Sequence, residues 1–180
     1  MKKVLYVRHG QSETNLRGVF AGGNDDTRLT DLGREQAKNA GKELKGIKID
    51  RIICSPLSRT YETAQIIAKE LGFNANKIQK DERLKEYDVG TGNGTPIEGM
   101  TAAKMMRFQG AENPQLFATR VKSALLAISK LNGITVIAGH AGVGRVIECL
   151  RTGRDPAEFY DVPGYPNGHA IELDLHWLIK

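Results

Sequence analysis

The chain has 180 residues, 40% of them hydrophobic and 26% charged, with a formal net charge of +5. This is the composition of one globular domain large enough for a sizeable core. No apolar run approaches the roughly 20 residues that span a bilayer, and the run after Met1-Lys2-Lys3 stops at Val7, too short for a signal-peptide core. The basic residues are scattered, which argues for a small acidic ligand and against a nucleic-acid tail or a membrane surface. Cys54 and Cys149 lie in apolar stretches and read as free buried thiols in a reducing cytoplasm.

Val4-Leu5-Tyr6-Val7 reads as a buried strand that runs into Arg8-His9-Gly10-Gln11-Ser12-Glu13-Thr14-Asn15. A long glycine-bearing loop follows, with Gly18, Gly22 and Gly23, up to Thr30. Thr30 can cap a helix to about Lys45, with Gly33, Ala37, Ala40, Gly41 and Leu44 as its inner stripe. Arg51-Ile52-Ile53-Cys54 is a second buried strand. Ser55-Pro56 reads as the start of the next helix, whose first turn carries Arg59 and whose buried stripe is Leu57, Tyr61, Ala64, Ala68 and Leu71. A short strand around Lys77-Ile78-Gln79 leads to Leu84-Lys85-Glu86-Tyr87-Asp88.

The pattern then loosens through Gly90, Gly92, Gly94, Pro96 and Gly99, with a brief helical stretch at Thr101–Phe108. Residues of about 88–113 read as a mobile, thinly charged cap insertion whose basic side chains are Lys104 and Arg107. Asn113-Pro114 opens a strong helix, and Ile134-Thr135-Val136-Ile137-Ala138 is a further buried strand ending in Gly139-His140-Ala141-Gly142. After the next helix a Pro- and Gly-rich loop leads to Ile171, Leu173 and Leu175, whose alternation predicts an edge strand, antiparallel to its neighbour. The expected fold is a three-layer α/β sandwich in one domain (1–180), with a mostly parallel sheet and helices on both faces.

Chemistry sits at the carboxyl ends of such strands. Two strands deliver His9 and His140 there, Arg8 and Arg59 add cations, and Glu86 adds a carboxylate. An imidazole can attack phosphorus, cationic donors can hold the equatorial oxygens, and a carboxylic acid can protonate a departing alkoxide. His169 and His176 lack ligand spacing, so no metal is expected. Asp88, Glu98 and Glu13 read as solvated loop carboxylates, while Tyr160 and Tyr165 either cover the pocket or pack.

Arg8-His9-Gly10-Gln11-Ser12-Glu13-Thr14-Asn15, Leu29-Thr30-Asp31-Leu32-Gly33, Ser55-Pro56-Leu57-Ser58-Arg59-Thr60, Leu84-Lys85-Glu86 with Gly90, and Gly139-His140-Ala141-Gly142-Val143 stand in that order along the chain. Together they resemble the histidine phosphatase superfamily, in its phosphoglycerate-mutase-like branch. The resemblance implies that His9 is the phosphorylated nucleophile, that Arg8, Arg59 and His140 complete the phosphate pocket, and that Glu86 is the proton donor. Asn15 is a further ligand, with Ala141 and Gly22 on the substrate side. Two departures stand out: Gly92-Asn93-Gly94 replaces a Trp-Glu-Gly common in relatives, and Ala141 stands where glycine is commoner.

The implied activity is hydrolysis of a small phosphate monoester through a phosphohistidine, with no metal and no cofactor. A phosphoglycerate mutase and a protein-phosphohistidine phosphatase are the rival enzymes, and a phosphate-binding regulatory module is the rival without catalysis. Neither a nucleic-acid nor a membrane partner is expected, and a homodimer is left open as the assembly.

Overall fold

Alternation inside the first strand creates the two faces of the molecule. The computed structural model describes residues 2–179. In β1 (Lys2–Arg8), Leu5 and Val7 join one buried cluster while Val4 and Tyr6 join another. The first cluster is covered by α2 (Asp31–Glu43) and α3 (Ser58–Leu71), the second by α5 (Pro114–Ser129) and α6 (Ala141–Arg151). The sheet adds β2 (Arg51–Cys54), β3 (Gln79–Lys80), β4 (Gly133–Gly139) and β5 (Ala170–Glu172) in the order β3-β2-β4-β1-β5. All pairings are parallel except β1 with β5. The α/β/α layering and the antiparallel edge strand therefore match the sequence expectation.

Topology places the crevice. β1 and β4 are neighbours, yet the chain leaves β1 toward α2 on one face and β4 toward α6 on the other. Such a divergence opens a cleft at the strands' carboxyl ends. The register pairs Arg8 with Gly139, so His9 and His140 each stand one residue beyond the last matched pair.

Local sequence accounts for α2 and its close packing. Thr30 caps it, the hydroxyl accepting from Gly33 N–H at 3.1 Å. Gly33, Ala37, Ala40 and Gly41 are buried, and a side chain at Gly41 would meet Glu70 Cβ at 2.7 Å on α3. A short helix, α1 (Glu13–Leu16), occupies the start of the stretch expected as loop, held by a capping box between Ser12 and Asn15.

Helix α3 departs from expectation. It begins at Ser58, not at Ser55-Pro56, and its N-cap Leu57 supplies no side-chain bond. Ser55 instead forms a turn, its hydroxyl accepting from Leu57 N–H at 3.3 Å. The cap comes from far along the chain: Asp26 accepts from both the N–H and the hydroxyl of Ser58 at 2.7 Å. The buried face is Arg59, Thr60, Thr63, Ala64, Ile67 and Ala68, leaving Tyr61 and Leu71 only half-buried. Thr60 and Thr63 can face inward because their hydroxyls donate to the carbonyls of Leu57 and Arg59 at 2.7 Å.

The third strand is also shorter and later than predicted, because Lys77 ends a 3-10 turn at Ala75–Lys77. Within residues 88–113, α4 covers only Ala102–Met105. That segment is tied down rather than free. Phe20 N–H donates to Thr95 O at 3.0 Å, Gly94 N–H to Phe20 O at 3.0 Å, and Ile97 N–H to Gly18 O at 2.9 Å. Ala102 N–H is held by Asp161 at 3.2 Å, and Ala102 and Met105 are buried.

Candidate active site

His9 follows β1 in a turn whose backbone has no room for a side chain. A Cβ at Gly10 would lie 2.0 Å from Gly33 O, so glycine is required where the turn meets α2. The His9 N–H donates to Gly139 O at 2.9 Å and its carbonyl accepts from Asn167 at 2.6 Å. The backbone is thus clamped on both sides. The ring Nδ1 stands 2.7 Å from Gly10 O. A carbonyl only accepts, so Nδ1 carries the proton and Nε2 presents a lone pair. Burial, then Arg59 and Arg8, hold the His9 ring well below its ordinary value of 6.5. The imidazole is therefore neutral at pH 7.

His140 begins α6 and lies edge-on to His9, with ring centroids 5.3 Å apart. Its carbonyl accepts from Tyr6 hydroxyl at 2.6 Å, and burial keeps that phenol protonated by pushing its pKa up. Gly139 lets the phenol approach, since a Cβ there would meet its oxygen at 2.3 Å. Both ring nitrogens of His140, and Nε of Arg8, are buried without a partner among the described residues. Buried polar atoms are almost always paired, so unpaired ones at strand ends point to a polar ligand. Burial, then Arg59 and His9, keep the His140 ring well below 6.5 as well.

Arg59 is not the solvated helix arginine that its first-turn position alone would suggest: it is 1% exposed. Its guanidinium donates to the carbonyls of Asp25 (2.8 Å), Ala21 (3.3 Å) and Gly22 (3.4 Å). It thus fixes the loop after α1 while its charge reaches both histidines. Arg8 is half-buried and donates to Tyr165 O at 3.0 Å.

Glu86 arrives from the other side, after a 3-10 turn at Glu82–Leu84. Its carboxylate accepts from Tyr87 N–H at 2.9 Å and from Gly142 N–H at 3.0 Å, the latter in the first turn of α6. A Cβ at Gly142 would collide with it at 2.3 Å. Arg8, Asn15, Gly22, Glu86 and Ala141 line a cavity of about 130 Å³, while His9, Arg59 and His140 are buried beneath the strand ends and are not on its wall. Asn93 also acquires a place: its side-chain oxygen accepts from Gly22 N–H at 2.8 Å.

Several site residues were not singled out from the sequence. Arg145 lines the cavity one helical turn after Ala141, a spacing of four that marks one helix face. Tyr6, Thr63 and Arg120 support the site from behind. Thr63 hydroxyl accepts from Gly10 N–H at 3.3 Å, and Arg120 donates to the carbonyls of Lys85 (2.7 Å) and Glu86 (3.0 Å). No local signal could reveal these contacts, because each joins residues more than thirty positions apart. Asp88 is absent from the cavity wall and accepts instead from Gly90 N–H at 2.9 Å. His169 and His176 form surface pairs with Glu43 and Asp174. Among the described residues no helix is long and apolar enough to cross a membrane, and no group of three His, Cys, Asp or Glu is placed to hold a metal ion.

Comparison with known proteins agrees with this geometry. The chain is 35% identical over 167 residues to a putative phosphoserine phosphatase 2 of Hydrogenobacter thermophilus, covering 85% of this chain and 80% of the relative. It is 40% identical over 101 residues to a 2,3-bisphosphoglycerate-dependent phosphoglycerate mutase of Thermoplasma acidophilum, spanning only 49% of that relative's length. In fold it is similar to the solved structure of Bacillus stearothermophilus YhfR, with a TM-score of 0.83 over 97% of this chain and 91% of the other, at 21% identity. The family model for the histidine phosphatase superfamily (branch 1) matches residues 4–176. The chain belongs to the histidine phosphatase superfamily.

Proposed function

We propose that this protein hydrolyses a small phosphate monoester through a phosphoryl group carried on His9. The observation that carries the reading is the 2.7 Å contact from His9 Nδ1 to Gly10 O, which leaves a neutral Nε2 as nucleophile. Nε2 attacks phosphorus and the ester P–O bond breaks. Arg8, Arg59, His140 and Asn15 hold the equatorial oxygens, with the single N–H of the neutral His140 ring and the Arg8 Nε–H as ready donors once a ligand is present. Glu86, as the acid, gives its proton to the departing alkoxide. As carboxylate it then takes a proton from the water that attacks the phosphohistidine, and inorganic phosphate leaves.

Two features favour hydrolysis over mutase action. Two relatives matched over 80% and 81% of their length are named phosphoserine phosphatases, whereas relatives named mutases are matched over 42–49% of theirs. A mutase must also retain a doubly anionic intermediate under a water-excluding cover. Lys104 and Arg107 of the covering segment are exposed and off the cavity wall, and Lys104 donates to Gly99 O. A concave cavity of about 130 Å³ suits a small molecule better than a phosphohistidine on a protein surface. The buried thiols of Cys54, pushed up to about 12, and Cys149 fit a reducing cytoplasm as the working compartment.

The test combines trapping with product analysis. Acid-sensitive, alkali-stable label on His9 after denaturation during turnover is expected. With 3-phosphoglycerate and a trace of bisphosphoglycerate, free phosphate should exceed 2-phosphoglycerate. Rapid isomerisation with negligible phosphate release would make the chain a mutase, and absence of label at His9 would overturn the mechanism.

A further inference from the structure

Away from the strand ends the cavity is built differently. Val19, Phe20, Ile97, Met105, Phe159 and Tyr160 wall it with carbon. Among the described lining residues the cations are Arg8 and Arg145, and the one carboxylate is Glu86. Arg145 is held in place: its guanidinium lies over the Tyr160 ring, 4.5 Å from the centroid, and Nη1 donates to Tyr160 O. No carboxylate of the described residues pairs with it. Glu148, nearly one turn further along α6, is taken by Arg151 at 2.6 Å and by the Tyr165 hydroxyl.

We propose that this end of the cavity selects phosphate monoesters whose organic half is apolar and bears a carboxylate remote from the phosphate, which Arg145 receives. The inference rests on the phosphatase reading and names its substrate class. These mainly apolar side chains add no carboxylate to Glu86, so the ammonium of an amino acid is left without a partner. A zwitterionic monoester such as phosphoserine would need a carboxylate for its ammonium. Glu86, the one available, is held by two backbone N–H groups and committed to proton transfer. Arg145, stacked and anchored, is preorganised to meet a planar carboxylate. Burial holds the Arg8 pKa below its usual value; Glu86 and then Tyr6 raise it, and the positive charge of Arg145 is a smaller cause that lowers it. A ligand with an anion at each end relieves that repulsion.

The experiment measures kcat/KM for 4-carboxyphenyl, 4-methylphenyl and 4-(aminomethyl)phenyl phosphate and for O-phosphoserine, with wild type and Arg145→Gln. Leaving-group chemistry cancels when the carboxy-to-aminomethyl ratio is compared between the two proteins. That ratio is expected to fall by about tenfold or more in the variant, the scale of a fixed, partly desolvated charge pair, and Arg145→Lys should retain part of it. Wild type should also prefer 4-carboxyphenyl to 4-(aminomethyl)phenyl phosphate, two aryl esters with similar leaving groups, a measurement that decides even if R145Q does not fold. An unchanged ratio, or faster turnover of phosphoserine, overturns the proposal while leaving the phosphatase reading intact. No hydrolysis of any ester and no label on His9 would overturn both.

Discussion

The two ends of the cavity are made by different means. At the strand-end side, His9 and His140 extend adjacent parallel strands, and their backbones are fixed by sheet register, Tyr6 and Asn167. At the loop side, the walls come from the loop after α1, residues 88–113, and the 3-10 turn Pro156–Asp161, joined by backbone bonds between loops and by side-chain packing. Glu86 stands between the two, held by α6 on one side and by Arg120 behind its carbonyl. The difference teaches where change is tolerable. On the proposed reading, the phosphoryl group common to every monoester meets the sheet, whereas the alcohol, which varies, meets loops.

The comparison is broken most severely at His9. His9→Ala should reduce kcat/KM on the order of 10⁴-fold or more, the scale on which removing a covalent nucleophile acts. The loss should be uniform across esters, measured by phosphate release from an alkyl and a nitrophenyl substrate. Glu86→Gln sharpens the contrast, because its effect should depend on the alcohol. Slowing of about 10²–10⁴-fold is expected for alkyl esters, the usual worth of general-acid help. Nitrophenyl phosphate, whose phenolate leaves readily, should be slowed much less. Equal slowing of both would move the acid elsewhere.

The smallest expected effect is on stability against pH. Burial and the neighbouring arginines hold the His9 and His140 rings well below 6.5 in the folded protein. The unfolded state therefore binds more protons below that pH. Stability from keeping these rings neutral is present above pH 6.5 and is lost as pH falls from there through the folded values. Each ring can contribute a slope of at most about 1.4 kcal/mol per pH unit. Urea midpoints measured from pH 8 to pH 5 should fall on the acid side, and a His9→Asn, His140→Asn double variant should show a flatter profile. An equally steep profile in that variant would place the titrating groups elsewhere.

Much of the strand-end side is legible along the chain, because local rules suffice for it. Four consecutive apolar residues make a strand, the residues after it fall at the carboxyl end, and glycine marks the sharp turn at Gly10. Thr30 and Asn113 announce their helices by capping chemistry that needs only neighbours. Where the cap is distant, the reading fails: Ser55-Pro56 looks like a helix start, but Asp26 secures the helix at Ser58 instead.

The same divide separates the charged residues. The sequence determined the types and order of Arg8, His9, Arg59, Glu86 and His140, and that both histidines follow buried strands, since these are properties of the linear pattern. Only the tertiary structure decided that Arg59 is buried against loop carbonyls, that Glu86 rests on the first turn of α6, and that Arg145 lies over the Tyr160 ring on the cavity wall. Burial and pairing depend on which surfaces meet, and those surfaces are brought together by the sheet order β3-β2-β4-β1-β5 rather than by separation along the chain.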